Sequence, residues 1–194
     1  KNLKIIFAGN IGKAQNLKIL IPVCQNLFKE NIEFNIFGTG SEEKNLKKII
    51  KGKSLDNIIK ILKPVSPQKL KNKIKECDGL LLVLGKGKAL SKTIPAKLQT
   101  YISFGKPIVV SADGEVKSLI DKYKLGFSSK SNDINGLTKS IIKLKKLSNI
   151  QKIHIYERSK LLFNSKFELN KWIFDLNEKL RQNNIKYNKE RFII

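Results

Sequence analysis

The order of apolar segments predicts an α/β protein: a doubly wound parallel sheet of about six strands, covered by helices on both faces and followed by C-terminal helices. Three observations carry that prediction. Short β-rich runs alternate with helical patterns in units of about 25 residues over the first two thirds of the chain. The segment Asp78–Leu84 is apolar at every position after Asp78 and Gly79, as expected for a strand buried on both faces. Three strand ends, after Ala8, Phe37 and Leu84, run into glycine-containing turns. Sheets of this type bind ligands at the carboxyl ends of their strands, and right-handed crossovers bring those ends to one side.

Leu3–Ala8 is the first strand, ending at Gly9. The loop Asn10–Ala14 leads into a helical pattern through Leu17, Ile21, Cys24 and Leu27. Ile32–Phe37 is the second strand, closed by Gly38-Thr39-Gly40, and a helix over Glu42–Ile50 precedes a strand within Asn57–Leu62. Ser66 is placed as N-cap of the next helix, with Pro67 at its first position. Asp78–Leu84 is the central strand, and Gly85–Lys92 reads as a loop. A helix over Pro95–Phe104 is closed by Gly105 before the strand Lys106–Val110. Ser111–Glu115 turns into a short helix, and Gly126–Ser128 is a last edge strand. From Asn132 the pattern is helical. The capping box Ser165-Lys-Phe-Glu168 is read as opening a final helix over Lys166 to about Arg181, and 182–194 is read as a loose tail. The expected organisation is thus a sheet unit over 1–130, helices packed on it over 131–181, and the tail.

Composition narrows the class further. With 194 residues, 41% hydrophobic and 28% charged, the chain excludes collagen, a disordered tail and a disulfide scaffold. No apolar run reaches the roughly 18–20 residues that cross a bilayer. Cys24 and Cys77 sit among apolar residues and are expected as buried free thiols, which suits a reducing cytosol. The chain has no methionine, so it is expected to begin inside a longer protein. The net charge of +23 invites a nucleic-acid reading, but only 3 of the 39 basic residues are Arg. Nucleic-acid sites favour Arg forks and stacking aromatics. A solvated basic surface is therefore expected, with a functional face toward anionic lipid or phosphorylated ligands as the alternative.

Three loops could carry chemistry. In Gly9-Asn10-Ile11-Gly12-Lys13, glycines let the backbone approach an anion and a lysine supplies charge. It lacks the Gly-Lys-Ser/Thr ending of a nucleotide-hydrolysing loop, and an ordinary turn with a surface lysine explains it as well. Gly38-Thr39-Gly40 resembles the start of a dinucleotide fingerprint, but position 43 is Glu where a third glycine belongs. A tight turn before a helix with acidic first-turn residues is the better account there. Thr93-Ile94-Pro95-Ala96-Lys97 opens a helix at the end of the central strand, with Thr93 near the cap. The free amides of that helix, its dipole, Lys92 and Lys97 would make a diphosphate cradle. His154 has no partner arrangement for catalysis, and no metal site can be assembled from one histidine and two isolated cysteines.

These pieces, in this order, resemble the C-terminal donor-binding domain of GT-B-fold retaining glycosyltransferases, specifically glycosyltransferase family four in its surface-polysaccharide branch. Phe7-Ala-Gly-Asn-Ile-Gly-Lys-Ala-Gln15 looks like that branch's first β–α loop, and Phe37-Gly-Thr-Gly-Ser41 with Leu46 like its second-strand turn. Asp78–Val83 is similar to the strand before the donor loop, and Thr93 to Pro107 to the donor helix and following strand. The resemblance covers roughly residues 3–181 and implies a Rossmann-like sheet. It implies that Lys13, with Gly9, Asn10 and Gly12, and the amides of Ala96 and Lys97, flanked by Thr93, Ile94 and Pro95, hold the donor diphosphate. It further implies that Val65 and Ser66 border the base, and that Gly38, Gly40, Asp113, Gly114 and Glu115 lie near the donor. Where relatives carry two glutamates, this chain has Lys92 and Thr100; Thr100 is placed at the ribose. The usual first-loop arginine is Asn10, as in the polysaccharide branch.

The function implied is transfer of a hexosyl or N-acetylhexosaminyl group, with retention, from a nucleoside-diphosphate sugar, expected to be a UDP-sugar. The acceptor would be a polysaccharide or lipid-linked glycan in bacterial surface-glycan or lipopolysaccharide assembly. No cofactor or metal is expected, no nucleic acid, and no catalytic residue can be named. The acceptor-binding N-terminal domain is expected as the partner, with Trp172, Ile173 and Phe174 reaching toward it. The chain alone would bind donor without transferring sugar. A cytoplasmic location, peripheral at the inner face of an anionic membrane, is expected from the charge and the acceptor. The alternatives are a nucleotide-sugar epimerase of the same architecture and a basic nucleic-acid-binding module.

Overall fold

In a computed structural model, residues 2–167 are described. Six parallel strands form one sheet in the order β3-β2-β1-β4-β5-β6. They are β1 (Leu3–Ala8), β2 (Ile32–Phe37), β3 (Ile59–Leu62), β4 (Gly79–Val83), β5 (Ile108–Ser111) and β6 (Gly126–Ser129). The order reverses between β1 and β4, so a topological switch point lies at the centre of the sheet. All five β4 residues are buried, in keeping with its apolar run, and Gly126–Ser129 forms the edge as expected. Leu3, Ile5, Phe7 and Ile36 face α1 (Leu20–Asn26), α2 (Glu43–Gly52) and α7 (Ile134–Lys145). Ile6, Leu80, Leu82 and Val110 face α3 (Pro67–Lys75), α5 (Ala96–Phe104), α6 (Glu115–Tyr123) and α8 (Asn149–Lys166). The period-two alternation of each strand thus feeds two separate cores.

Local chemistry sets the helix ends. The Ser66 hydroxyl accepts from Lys69 N at 3.5 Å, with Pro67 in the first turn as expected. Pro22 is tolerated near the start of α1, where its missing N–H is not needed. The segment before α1 differs from the expected helix: Lys13–Gln15 and Leu17–Ile19 are 3₁₀ turns, separated by Asn16 in the left-handed region at φ 40°. Gly85–Lys92 is not wholly a loop, because Lys88–Ser91 makes one helical turn, α4. At the other end α8 runs through Lys166, and the Ser165 hydroxyl donates to Leu162 O within it. Ser165 is therefore in the last turn of one helix rather than the cap of a new one. Glu168, Trp172, Ile173, Phe174, Arg181 and the tail 182–194 lie outside the described residues.

One departure from regular pairing positions everything above the sheet. β1 pairs with β2 along all six residues, but with β4 only at Ile5↔Gly79 and Ile6↔Leu80. Beyond Ile6 the two central strands part. The Ala8 N–H, left without a strand partner on that side, donates to the Tyr101 hydroxyl of α5 at 2.8 Å. On the β2 side the backbones stay zipped past the strand ends, with Gly9 N donating to Phe37 O at 2.9 Å and Ile11 N to Thr39 O at 2.8 Å.

Tyr101→Phe should therefore lower the unfolding free energy by about 1–2 kcal/mol, since it orphans a half-buried amide. Gly38→Ala would drive a Cβ into the Gly9 carbonyl and should cost at least about 2 kcal/mol. Gly52→Ala, with no atom within 4 Å, should instead stabilise by roughly 0.5–1 kcal/mol. Urea denaturation of the three variants checks all three signs.

Candidate donor site at the strand ends

The parting of β1 and β4 opens a slot at the switch point, and α5 fills it from one side. Tyr101 is buried and its phenol pKa is pushed up by burial, so it stays neutral and can hold Ala8 at any physiological pH. One turn earlier on the same helix face, Lys97 sends its side chain into the slot. Its Nζ lies 3.6 Å from the centroid of the Phe7 ring. Gly9, at φ 137°, leaves the space this requires: a Cβ there would lie 2.6 Å from the ammonium nitrogen. Burial pulls the Lys97 pKa down to about 8.

The β1–α1 loop closes over the slot by reaching in both directions. Toward β2, the buried Ile11 side chain anchors the loop, and Glu42 N donates to Ile11 O at 2.9 Å. Gly38 and Gly40 serve this packing, since a Cβ on either would strike the carbonyl of Gly9 or Ile11 respectively. Toward β4, Gly85 N donates to Ala14 O at 2.8 Å, and Asn16 donates to the Asn132 amide oxygen at 2.7 Å. Within the loop, Gln15 Oε1 accepts from Gly12 N at 3.1 Å and from Asn10 Nδ2 at 3.3 Å. The Gly12 amide is therefore engaged internally. Lys13 is exposed, and Glu42 pairs with Lys18 at 2.6 Å, a hydrogen bond that holds its carboxyl below the usual range.

Opposite this loop, α5 begins without a side-chain cap: Pro95 occupies the N-cap position and its carbonyl accepts from Leu98 N at 2.8 Å. The N–H groups of Ala96 and Lys97 precede that first bond and have no partner in the helix. Ile94 is half-buried against the α5-side core. Thr93 does not cap α5; its hydroxyl donates to Ala89 O at 2.7 Å and ties the segment to α4. Lys92 and Thr100 are both exposed, and the Thr100 hydroxyl donates to Ala96 O at 3.2 Å.

Next to the slot lies a cavity of about 450 Å³, floored by Ala8, Gly9 and Gly38 and walled by Thr39, Pro64 and Val65. That volume suits one small ligand. Val65 is where the family resemblance implies a base-bordering residue. Ser66 is not among the lining residues, because its hydroxyl caps α3. At the end of β5, Asp113 accepts from Ser131 N at 3.1 Å, and Gly114, at φ 67°, fits closely against the Ser91 carbonyl. Glu115 is exposed at the start of α6. Asp113 and Gly114 thus brace the neighbouring loops. Phe7, Ala8 and Tyr101 shape the site without a motif of their own in the sequence; the one sequence signal for Tyr101 is its place four residues after Lys97.

A larger cavity, about 720 Å³, lies at the opposite, amino-terminal edge of the sheet. Two of its five lysines are engaged near helix C-termini, Lys106 donating to Lys75 O and Cys77 O and Lys160 to Ser103 O, each at 2.8 Å, and Lys152 pairs with Asp78 at 3.5 Å. Cys24 and Cys77 are buried free thiols, raised by burial to about 12 and about 11. Among the described residues no three His, Cys, Asp or Glu side chains cluster as a metal site, and no helix is long and apolar enough to cross a membrane.

Known proteins share both sequence and architecture with this chain. The family model for glycosyl transferases group 1 matches residues 1–160. The amylovoran biosynthesis glycosyltransferase AmsK of Erwinia amylovora is 24% identical over 145 residues, 73% of this chain but 36% of AmsK. The chain thus spans about a third of the length of that curated relative. Among solved structures, Anabaena Alr3699/HepE in complex with UDP-glucose superposes with a TM-score of 0.77 at 16% identity, over 94% of this chain and 49% of HepE. The C-terminal domain of LpcC, a group 1 glycosyl transferase from Francisella tularensis, gives a TM-score of 0.68 at 13% identity, covering 87% of each chain. With the sheet order, the switch-point slot and a family match over most of its length, this chain belongs to the group 1 glycosyl transferases and has the C-terminal, Rossmann-like half of a GT-B fold.

Proposed function

We propose that this chain is the donor-binding half of a retaining glycosyltransferase that takes a hexosyl or N-acetylhexosaminyl group from a UDP-sugar to a polysaccharide or lipid-linked acceptor. One observation carries the reading: a half-buried lysine, two helix amides with no partner among the described residues and a glycine-floored cavity converge at the switch point. An anion suits the first two and a ring the third. UDP-glucose in the HepE neighbour and an amylovoran-building relative support the choice of donor and acceptor class.

In this reading the base and ribose occupy the cavity beside Val65, within reach of Gly38 and Gly40, and the diphosphate lies between the Gly9–Lys13 loop and the start of α5. The chain's contribution to the reaction is electrostatic. Lys13 and the amides of Ala96 and Lys97 face charge that grows on the leaving diphosphate as the glycosidic bond to the sugar breaks. Thr100 contributes at most one hydrogen bond to the ribose. The acceptor is held by a preceding domain, so donor binding and sugar transfer separate: this chain binds but does not transfer alone. Its positive surface rests on the inner face of an anionic membrane, where a lipid-linked acceptor is found.

Calorimetric titration with UDP should show saturable binding, weakened severalfold by Lys13→Ala because an exposed lysine adds a modest charge contact. Absence of binding at millimolar UDP would remove the donor assignment. Flotation with phosphatidylglycerol vesicles should carry the chain upward while phosphatidylcholine vesicles leave it behind; equal recovery would remove the membrane contact.

A further inference from the structure

The lysines at the carboxyl ends of the strands are not equivalent. Lys13 and Lys92 are exposed and hydrated, whereas Lys97 is drawn into the slot. Among the described residues no carboxylate pairs with it, and burial is the cause of its lowered pKa. Its ammonium faces the Phe7 ring, and its stem crosses Gly9 so closely that Cε would lie 2.7 Å from a Cβ there. A ring quadrupole compensates a desolvated charge only in part. The amides of Ala96 and Lys97, without a partner among the described residues, lie at the root of the same side chain and also favour negative charge. What completes such a place is an anion that can meet the ammonium and the amides together.

We propose that the Lys97 ammonium is itself a counter-charge for the donor's diphosphate, held on the Phe7 ring over Gly9 until the anion arrives and then moving onto phosphate oxygens. This rests on the reading of the slot as a nucleoside-diphosphate site. It gives a side chain a full charge contact where the helix start alone supplies a partial one.

Lys97→Met keeps an apolar stem against Phe7 and removes the charge. Without ligand this variant should unfold at a higher temperature than the parent chain, yet its UDP affinity should fall roughly 10- to 100-fold, the range of one charge-assisted contact. Lys97→Arg restores the charge and should recover most of that affinity. A packing role would not raise stability while lowering affinity. If Lys97→Met binds UDP within about twofold of the parent, the assignment of Lys97 falls while the diphosphate site stands. If both variants lose stability and affinity together, Lys97 is a packing residue and the assignment also falls. If the parent itself binds no UDP, the reading of the site falls and takes this inference with it.

Discussion

The hydrogen bond from Ala8 N to the Tyr101 hydroxyl is the constraint on which the upper half of the molecule depends. A parallel strand that leaves its neighbour strands a row of amides, and a buried amide without a partner costs about 1–3 kcal/mol. Tyr101 resolves that cost once, at the residue where β1 leaves β4. Because its hydroxyl is at the tip of a rigid side chain, the bond also fixes the distance between α5 and the end of β1. Lys97, one helical turn before Tyr101, is then carried into the slot, and the start of α5 is set opposite the β1–α1 loop. The slot is open because pairing stops, and it is shaped because one phenol replaces the pairing.

The same economy explains the charge. Most of the lysines are spent locally or left in water. Lys47 pairs with Glu43 and Lys117 with Asp121, each one helical turn apart, while Lys60 reaches Glu33 from the adjacent strand. Such exposed pairs are worth about 0–1 kcal/mol. Lys106 and Lys160 close helix ends by donating to carbonyls. Against that background Lys97 stands apart, being half-buried against a ring with no carboxylate opposite among the described residues. A net charge of +23 therefore says little about the ligand, and the placement of one ammonium says a good deal.

The sheet was legible because its signals are local: the five-residue apolar run of β4, the alternation of β2, and the Ser66-Pro67 start of α3 each act within one element. The family resemblance rests on Phe7–Gln15, Phe37–Ser41 with Leu46, Asp78–Val83 and Thr93–Pro107, and the group 1 glycosyl transferase match bears out the family. Side-chain engagement was less legible, because it depends on what meets across the fold. The commitment of Gly12 to Gln15, of Ser66 to the α3 cap and of Asp113 to Ser131 follows from loop geometry that spacing does not encode. Gly38 and Gly40 read in sequence as a tight turn before a helix; what spacing does not encode is that their missing side chains let two loop backbones touch. Tyr101 was the hardest to see: a tyrosine four residues after a lysine in a helix is unremarkable until β1 is found to end beneath it.

Burial of Lys97 also links the site to the stability of the empty fold. Its pKa lies near 8 in the folded chain against 10.5 for a free side chain, so between those values the unfolded chain holds a proton that the folded chain has released. Stability attributable to this residue therefore rises with pH across that window, and at neutral pH the empty site carries a charge it does not favour. At the lower end of that window the Tyr101 phenol and the Cys24 and Cys77 thiols are protonated in both states and add no slope; toward its upper end their raised pKa values oppose that of Lys97, because the unfolded chain then loses protons that the folded chain keeps. An anion in the slot acts in the opposite direction: it raises the Lys97 pKa toward its free value and draws a proton in as it binds. On the proposed role of Lys97, a diphosphate bound there would relieve the cost carried by the empty fold, and part of its affinity would come from strain already present before it arrives.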